Sequence, residues 1–358
     1  LSTRRIIDDF TAWQRAGRRL VLATVWETVG STYSKAGHRI VLDAGGQHAG
    51  LVSGGCLEGD LAAHAAAVAS SGTAMSLTYD LRDGDDELFG LGVGCQGLLR
   101  ILLQPLDTDG QPFAAIAARL GDGRAGRTLT IIDSTDPALP AGATLVSAGG
   151  EEACGVPAGQ HQVLSTALAG ASALPALLEI STAAGRCRAL AAPLIPLPRL
   201  LVLGGGLDAV PLVELAVTLG WRVTVADHRP AHIASGRFAC AEAAHCLPAD
   251  RLADLPGGLA YDAAVVMSHH LASDRAWLRG LAATTIAYLG LLGPAARRQR
   301  LLAELGDLGA GLAPRLRGPA GLDLGGRSPE AIALSILAQV QATLGSLAPL
   351  PGTATAHG

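Results

Sequence analysis

Arg199-Leu200-Leu201-Val202-Leu203-Gly204-Gly205-Gly206-Leu207-Asp208-Ala209 is the stretch whose reading decides the fold. Its apolar start suits a buried strand, the glycines fit G-x-G-x-x-A, and Val210 to Leu219, closed by Gly220, reads as a helix. Trp221 to Ala226 supplies the next strand. Asp227 ends it at the distance where dinucleotide-binding units place a ribose-binding acid. A glycine triplet alone says little, whereas strand, glycines, helix, strand and acid in register indicate a Rossmann unit. Strands at Ala263 to Met267 and Thr285 to Leu289, each followed by a helix, extend it into a doubly wound parallel sheet with right-handed crossovers. Ligands of such sheets bind beyond the carboxyl ends of the strands, which gathers Gly204, Gly206, Asp208, Asp227, Arg229, Ser268, His269 and Asp274 around one crevice. Arg229 beside Asp227 suits an extra phosphate. His269 or His270 is a candidate general base, with a hydrogen-bonded structural histidine as the plainer alternative. NAD(P) or another nucleotide is therefore one candidate occupant, and NAD(P)-dependent oxidoreductase one candidate activity, although no clear catalytic set accompanies the pattern.

Upstream of this unit, Pro193-Leu194-Ile195-Pro196-Leu197-Pro198 carries three prolines, which resist helix and favour an extended linker. With 358 residues, two domains are the default. The expected division is residues 1–192, a linker at 193–198, a Rossmann-like domain at 199–345 and a tail at 346–358. The first part reads as an α/β domain with a mixed sheet. Its expected elements are a helix over Arg5 to Arg15, strands at Leu20 to Val25, Arg39 to Leu42 and Ala49 to Val52, a helix over Leu57 to Ser70, and strands at Met75 to Tyr79 and Leu98 to Leu103. Beyond it, a helix at 111–120 and strands at Thr128 to Ile132 and near Val163, Leu177 and Ala189 complete the domain.

Composition narrows the function classes. An apolar fraction of 49% with 16% charged residues describes a globular chain whose apolar runs are broken by Pro, Gly or Arg before membrane-spanning length, so no transmembrane helix is expected. A net charge of -4 gives no electrostatic case for nucleic acid or an anionic membrane. Six cysteines without regular close spacing argue for a reducing compartment, and the cytoplasm is expected. Cys240 and Cys246, with His245, lack a second ligand pair at zinc-site spacing. The acidic run Asp83 to Glu87 lacks an EF-hand pattern and reads as a solvated loop. Lys35 is the chain's only lysine, which suggests a specific role for it.

The first domain's chemistry concentrates in three stretches. Gly50-Leu51-Val52-Ser53-Gly54-Gly55-Cys56-Leu57-Glu58-Gly59-Asp60 is a glycine-rich turn running into a helix, where Ser53 to Cys56 should present free amide N–H groups to an anion. Cys56, facing the positive end of the helix dipole, should be a better soft-metal ligand or nucleophile than an average cysteine; a buried structural cysteine is the plain alternative. The loop Gly30 to Arg39 carries the hydroxyls of Ser31 and Thr32 and the cation of Lys35, groups able to hold a phosphate or an oxyanion. Gly94-Cys95 repeats the pairing of glycine with cysteine, making Cys95 a second candidate contact.

These stretches, taken in order, amount to a resemblance. Gly30-Ser31-Thr32, Ala36-Gly37, Ser53-Gly54-Gly55-Cys56-Leu57-Glu58, Gly94-Cys95, Gly204-Gly205-Gly206, Asp227-His228-Arg229-Pro230, Ser268-His269 with Asp274, Tyr288-Leu289-Gly290-Leu291-Leu292-Gly293 and Gly321-Leu322-Asp323-Leu324-Gly325 together resemble the XdhC/CoxI family, over roughly residues 20–105 and 199–342. The resemblance implies an accessory protein for molybdenum hydroxylases of the xanthine dehydrogenase type. Such a protein binds molybdenum cofactor, assists its sulfuration with a cysteine desulfurase and delivers it to the apoenzyme, acting as a chaperone more than a catalyst. On this reading Ser31, Thr32, Lys35, Ser53, Gly54, Gly55, Cys56, Glu58 and Cys95 are the cofactor-binding candidates of the first domain. Cys56 is the expected molybdenum contact, and a homodimer is the expected assembly. The chain departs from the family pattern twice. Tyr33-Ser34-Lys35-Ala36-Gly37 stands where many relatives have Pro-Arg-x-Pro-Gly. Gly293-Pro294-Ala295-Ala296 stands where they have Gly-Ser-Arg-Arg, which weakens any phosphate role for that turn. A scaffold that recruits partners while its crevices are relics is the remaining alternative.

Overall fold

The structure, a computed structural model, describes residues 2–82, 97–148, 151–154 and 156–347. The chain divides into two compact units, Leu1–Pro196 and Leu197–Gly358. Among the described residues no helix is long and apolar enough to cross a membrane.

The first unit is α/β, and its strands form two sheets, each wholly antiparallel, rather than one mixed sheet. Helix α1 (Thr3–Arg15) leads into β1 (Leu20–Gly30), β2 (Arg39–Asp43) and β3 (His48–Ala49). Helix α2 (Glu58–Ser71), β4 (Met75–Asp80) and β5 (Gly97–Pro105) complete a sheet of order β3-β2-β1-β5-β4. Strand β1 is buried on both faces. Val21, Ala23 and Val25 pack with Leu61, Ala65 and Val68 of α2, while Leu20 and Leu22 pack with Ile6 and Phe10 of α1. That explains a continuous apolar run where a half-solvated antiparallel strand would alternate.

The second sheet is built from β6 (Gly126–Ser134), β7 (Thr144–Ala148), β8 (Glu151–Cys154), β9 (Ala176–Ser181) and β10 (Arg186–Leu194), in the order β8-β7-β6-β10-β9. Helix α3 (Phe113–Gly121) precedes it and α4 (His161–Gly170) lies within it. Val163, expected in a strand, is in α4, where Leu164 and Leu168 share the buried face at helical spacing. The proline-rich stretch is extended, and its first two residues are strand: Pro193 pairs with Arg127 and Leu194 with Gly126. The two sheets meet through Trp26 and Leu102 against Ile132, Leu190 and Ala192, and Arg39 donates to Thr128 Oγ1 at 2.6 Å.

The second unit is the Rossmann fold read from the sequence. Its elements are β11 (Arg199–Leu203), α5 (Ala209–Thr218), β12 (Arg222–Asp227), α6 (Pro230–Ile233), β13 (Ala243–Cys246), β14 (Ala263–Val266), α7 (Leu271–Ala282) and β15 (Tyr288–Leu291). Helices α8 (Ala295–Leu305) and α9 (Asp307–Leu312), strand β16 (Leu316–Arg317) and helix α10 (Pro329–Leu347) follow. The strands lie parallel in the order β13-β12-β11-β14-β15-β16, the doubly wound arrangement with its switch point between β11 and β14. Leu200 and Val202 face the core shared with α5 and α10, and Leu201 and Leu203 face the one shared with α7 and α8. Strand β15 begins at Tyr288, three residues after the expected Thr285. Thr284 ends α7 by donating its hydroxyl to Leu281 O at 2.7 Å, so a β-branched pair that suggests strand serves as a helix stop. Ser328 Oγ accepts from Ala331 N–H at 3.3 Å at the head of α10 and so caps that helix.

Candidate functional site

In the first unit, the turn before α2 is set by glycine geometry and by one acid. Gly50 has φ +107° and runs so close over Ile40 that a Cβ there would collide with Ile40 Cγ2. Gly54 and Gly55, at φ +80° and +118°, then reverse the chain. The Glu58 carboxylate takes up the amides so exposed. Its Oε1 accepts from the N–H groups of Val52 and Ser53 at 2.8 and 3.0 Å, and its Oε2 accepts from Gly55 N–H and the Ser53 hydroxyl at 3.0 and 2.7 Å. Ser53 Oγ in turn accepts from Leu57 N–H at 2.8 Å. Burial opposes the charge on Glu58, but the amide and hydroxyl of Ser53 and the amide of Val52 outweigh it and hold the carboxyl below the usual range. The amides expected to be free between Ser53 and Cys56 are therefore not all free: those of Ser53 and Gly55, with that of Val52 before them, are taken by the chain's own carboxylate. Ser53 and Glu58 are buried parts of this pin, whereas Cys56 is half-buried, free and at the rim beside exposed Gly54 and Gly55.

The loop after β1 joins this turn at the same end of the sheet. His38 Nε2 donates to Leu51 O at 2.9 Å, and burial pushes the imidazole pKa down, so His38 is a neutral link between the two loops. The Tyr33 ring lies alongside Gly54, within 3.8 Å of where a Cβ would stand. Thr32 Oγ1 donates to Ser34 O at 2.7 Å and accepts from Lys35 Nζ at 3.4 Å. Gly97, paired with Gly30, allows Ser31 and Thr32 to close over β5; a Cβ there would lie 2.5 Å from both Ser31 O and Thr32 Cγ2. The loop that carries Ser31, Thr32 and Lys35 thus meets the turn that carries Cys56 through Tyr33 and His38. Cys95 lies outside the described residues. A cavity of about 520 Å³ elsewhere in this unit, lined by Gln104, Pro112, Pro140 and Thr144 among others, includes none of the candidate residues.

In the second unit, the candidates cluster at the carboxyl ends of β11, β12 and β14. Asp227 is wholly buried. Its Oδ1 accepts from Arg229 N–H and Nε–H at 2.8 and 2.9 Å, and its Oδ2 from Gly205 N–H and Arg229 Nη2 at 2.6 and 2.7 Å. Burial works against this charge, yet the Arg229 guanidinium and the two amides hold the pKa down to about 2. Asp208, at the N-cap position of α5, receives His269 Nε2 at 2.6 Å, and His269 is in the left-handed region at φ +58°. Ser268 donates to Asp274 Oδ1 at 2.5 Å, and Arg297 clamps Asp274 Oδ2 through Nε and Nη2 at 3.0 and 2.5 Å. His270 caps α7, accepting from Ser273 N–H. Arg297 was absent from the expected set. Its signal is the Arg297-Arg298 pair in the first turn of a helix, where a cation opposes the dipole and needs a local reason. Among the described residues no group of three or more His, Cys, Asp or Glu side chains is arranged to hold a metal ion.

Comparison with known proteins agrees with the fold. Residues 13–80 match the model described as the XdhC and CoxI family, and residues 200–340 match the XdhC Rossmann domain. The chain belongs to the XdhC and CoxI family. Its first matched segment spans the Ser31 to Glu58 loops, and the XdhC Rossmann domain spans the Asp227 and Asp274 clusters. A protein of Bacillus subtilis (strain 168), named as a probable subunit of xanthine dehydrogenase, is 29% identical over 322 residues, 89% of this chain and 92% of that one. A crystal structure of a xanthine dehydrogenase from Bacillus halodurans is 25% identical, with a TM-score of 0.75 over 98% of each chain.

Proposed function

We infer that the chain is an accessory factor of a xanthine dehydrogenase-type molybdenum hydroxylase, which holds molybdenum cofactor at the Cys56 end of its first unit and passes it to the apoenzyme. The observation that carries this reading is the presentation of Cys56: a free, half-buried thiol on a turn pinned by Glu58 and touched, through Tyr33 and His38, by the loop that carries Ser31, Thr32 and Lys35. The relatives named after xanthine dehydrogenase support the choice of client.

The donor set fits the cofactor in most of its parts. A soft thiolate suits molybdenum, and the space beside Gly55, where a Cβ would meet no atom within 4 Å, leaves room at the thiol. Because Glu58 engages the amides of Val52, Ser53 and Gly55, the cofactor's phosphate falls to Lys35 and the hydroxyls of Ser31 and Thr32. When bound, the cofactor supplies the molybdenum centre; the chain orients and shields it. Sulfuration by a cysteine desulfurase before delivery belongs to the same reading, as does a cytoplasmic setting in which the thiol stays reduced.

Reconstitution tests it. Apo-hydroxylase made in cells lacking this chain should gain activity when mixed with cofactor-loaded chain faster than with free cofactor. Equal activation by free cofactor alone would count against a carrier.

A further inference from the structure

The fold of the second unit implies a dinucleotide, and its residues do not fit one. We propose that the glycine turn after β11 is plugged by Asp208, held by His269, and that this unit is closed to NAD(P).

Three observations converge on it. A dinucleotide site needs the acid at the end of the second strand to accept from the ribose hydroxyls. Asp227 has about four acceptor positions. All are in use, by Gly205 N–H, Arg229 N–H and two guanidinium N–H groups, and the side chain has no exposed surface. A ribose could enter only by breaking a charge-assisted fork in a buried place.

The glycine turn itself is spoken for. One of its amides, Gly205 N–H, is committed to Asp227 Oδ2 at 2.6 Å and is lost to a diphosphate.

The third observation is the most direct. Gly206 stands at the second glycine of the fingerprint, the position whose missing side chain lets a pyrophosphate approach the backbone. Here that space holds the Asp208 carboxylate: a Cβ on Gly206 would lie 2.5 Å from Asp208 Oδ1. The other oxygen, Oδ2, takes His269 Nε2 at 2.6 Å, and the left-handed backbone of His269 brings the end of β14 across to the turn. A carboxylate at the N-cap of α5 draws on the same helix dipole as a bound phosphate, and repels one.

The test compares wild type with Asp208→Asn, which keeps the shape and removes the charge. NADH and NADPH are titrated by nicotinamide fluorescence and inorganic pyrophosphate by calorimetry, on the full chain, with melting temperature as the folding control. Wild type should show no saturation with either dinucleotide up to about 1 mM, and Asp208→Asn should bind pyrophosphate about tenfold tighter than wild type. His269→Ala, which frees Asp208 but leaves its charge, should give no such gain. Saturable wild-type binding of either dinucleotide, or equal pyrophosphate affinity in wild type and Asp208→Asn, overturns the proposal. Asp208→Ser, a competent N-cap, replaces Asn in the comparison if the melting temperature shows that Asn disturbs the fold.

Discussion

Glu58 Oε2 accepts a hydrogen bond from Gly55 N–H at 3.0 Å, so the first residue of α2 holds the turn that delivers the chain into that helix. Asp208 lies over Gly206 in a comparable way in the second unit. In both glycine turns the space or the amides that would suit an anion are met by a carboxylate of the same chain. In the first unit this leaves Cys56 as the free thiol at the rim.

Glu58→Gln tests the pin. A carboxamide has one acceptor oxygen, so its NH2 group must face either the Val52 and Ser53 amides or the Gly55 amide, donor against donor. The expected loss is about 1–3 kcal/mol, read as a lower midpoint in urea with unchanged slope. An unchanged midpoint would mean that the turn is held by other groups.

Gly97→Ala reaches the candidate site without touching a candidate residue. The added Cβ would lie 2.5 Å from Ser31 O, which is backbone and must move. Overpacking of this kind costs about 1–3 kcal/mol, and displacement of Ser31 and Thr32 should weaken cofactor retention as well. Loss of stability with full retention would separate the 31–35 loop from the cofactor.

The acid limb of stability should depend on Asp227. Its folded pKa of about 2 lies below the ordinary carboxylate value near 4. The stabilisation it contributes is therefore fully present above about pH 4 and is lost as pH falls towards 2, by roughly 2 kcal/mol in all. In Asp227→Asn this segment of the pH–stability curve should flatten, as measured by denaturant midpoints from pH 5 to pH 2. An unchanged curve would show that the Arg229 fork does not lower the pKa.

Arg297→Met should be worse than its double mutant. Removing the guanidinium leaves Asp274, which is wholly buried, with Ser268 as its remaining partner and costs about 3–5 kcal/mol. Combining it with Asp274→Asn removes the stranded charge, so the pair should be more stable than Arg297→Met alone. Additive losses in the two single variants would contradict a direct coupling.

The Rossmann unit was legible because strand, glycine turn, helix and acid are a local, consecutive pattern, and Leu200 to Leu203 are apolar on both faces as a central parallel strand requires. The second sheet of the first unit was not. Its strands pair over distances such as Thr128 to Ala192, and glycine, alanine and proline between them carry little periodicity. Val163 shows the difficulty: a β-branched residue in an alanine-rich stretch suggests strand until Leu164 and Leu168 are seen to share a buried helical face. At the site, residue identity named Ser53, Glu58, Asp208, Asp227, Arg229 and His269, but not which of them bond to one another. In the sequence Glu58 is a cofactor-binding candidate by its motif, and only the folded turn brings four donors to its two oxygens.

The measurement that bears most directly on the account is the anaerobic co-elution of molybdenum and pterin with wild type and Cys56→Ala, both checked for equal melting temperature. The account predicts stoichiometric retention by wild type and loss of molybdenum from Cys56→Ala. Failure of wild type to retain either component, or equal molybdenum retention by folded Cys56→Ala, would contradict it.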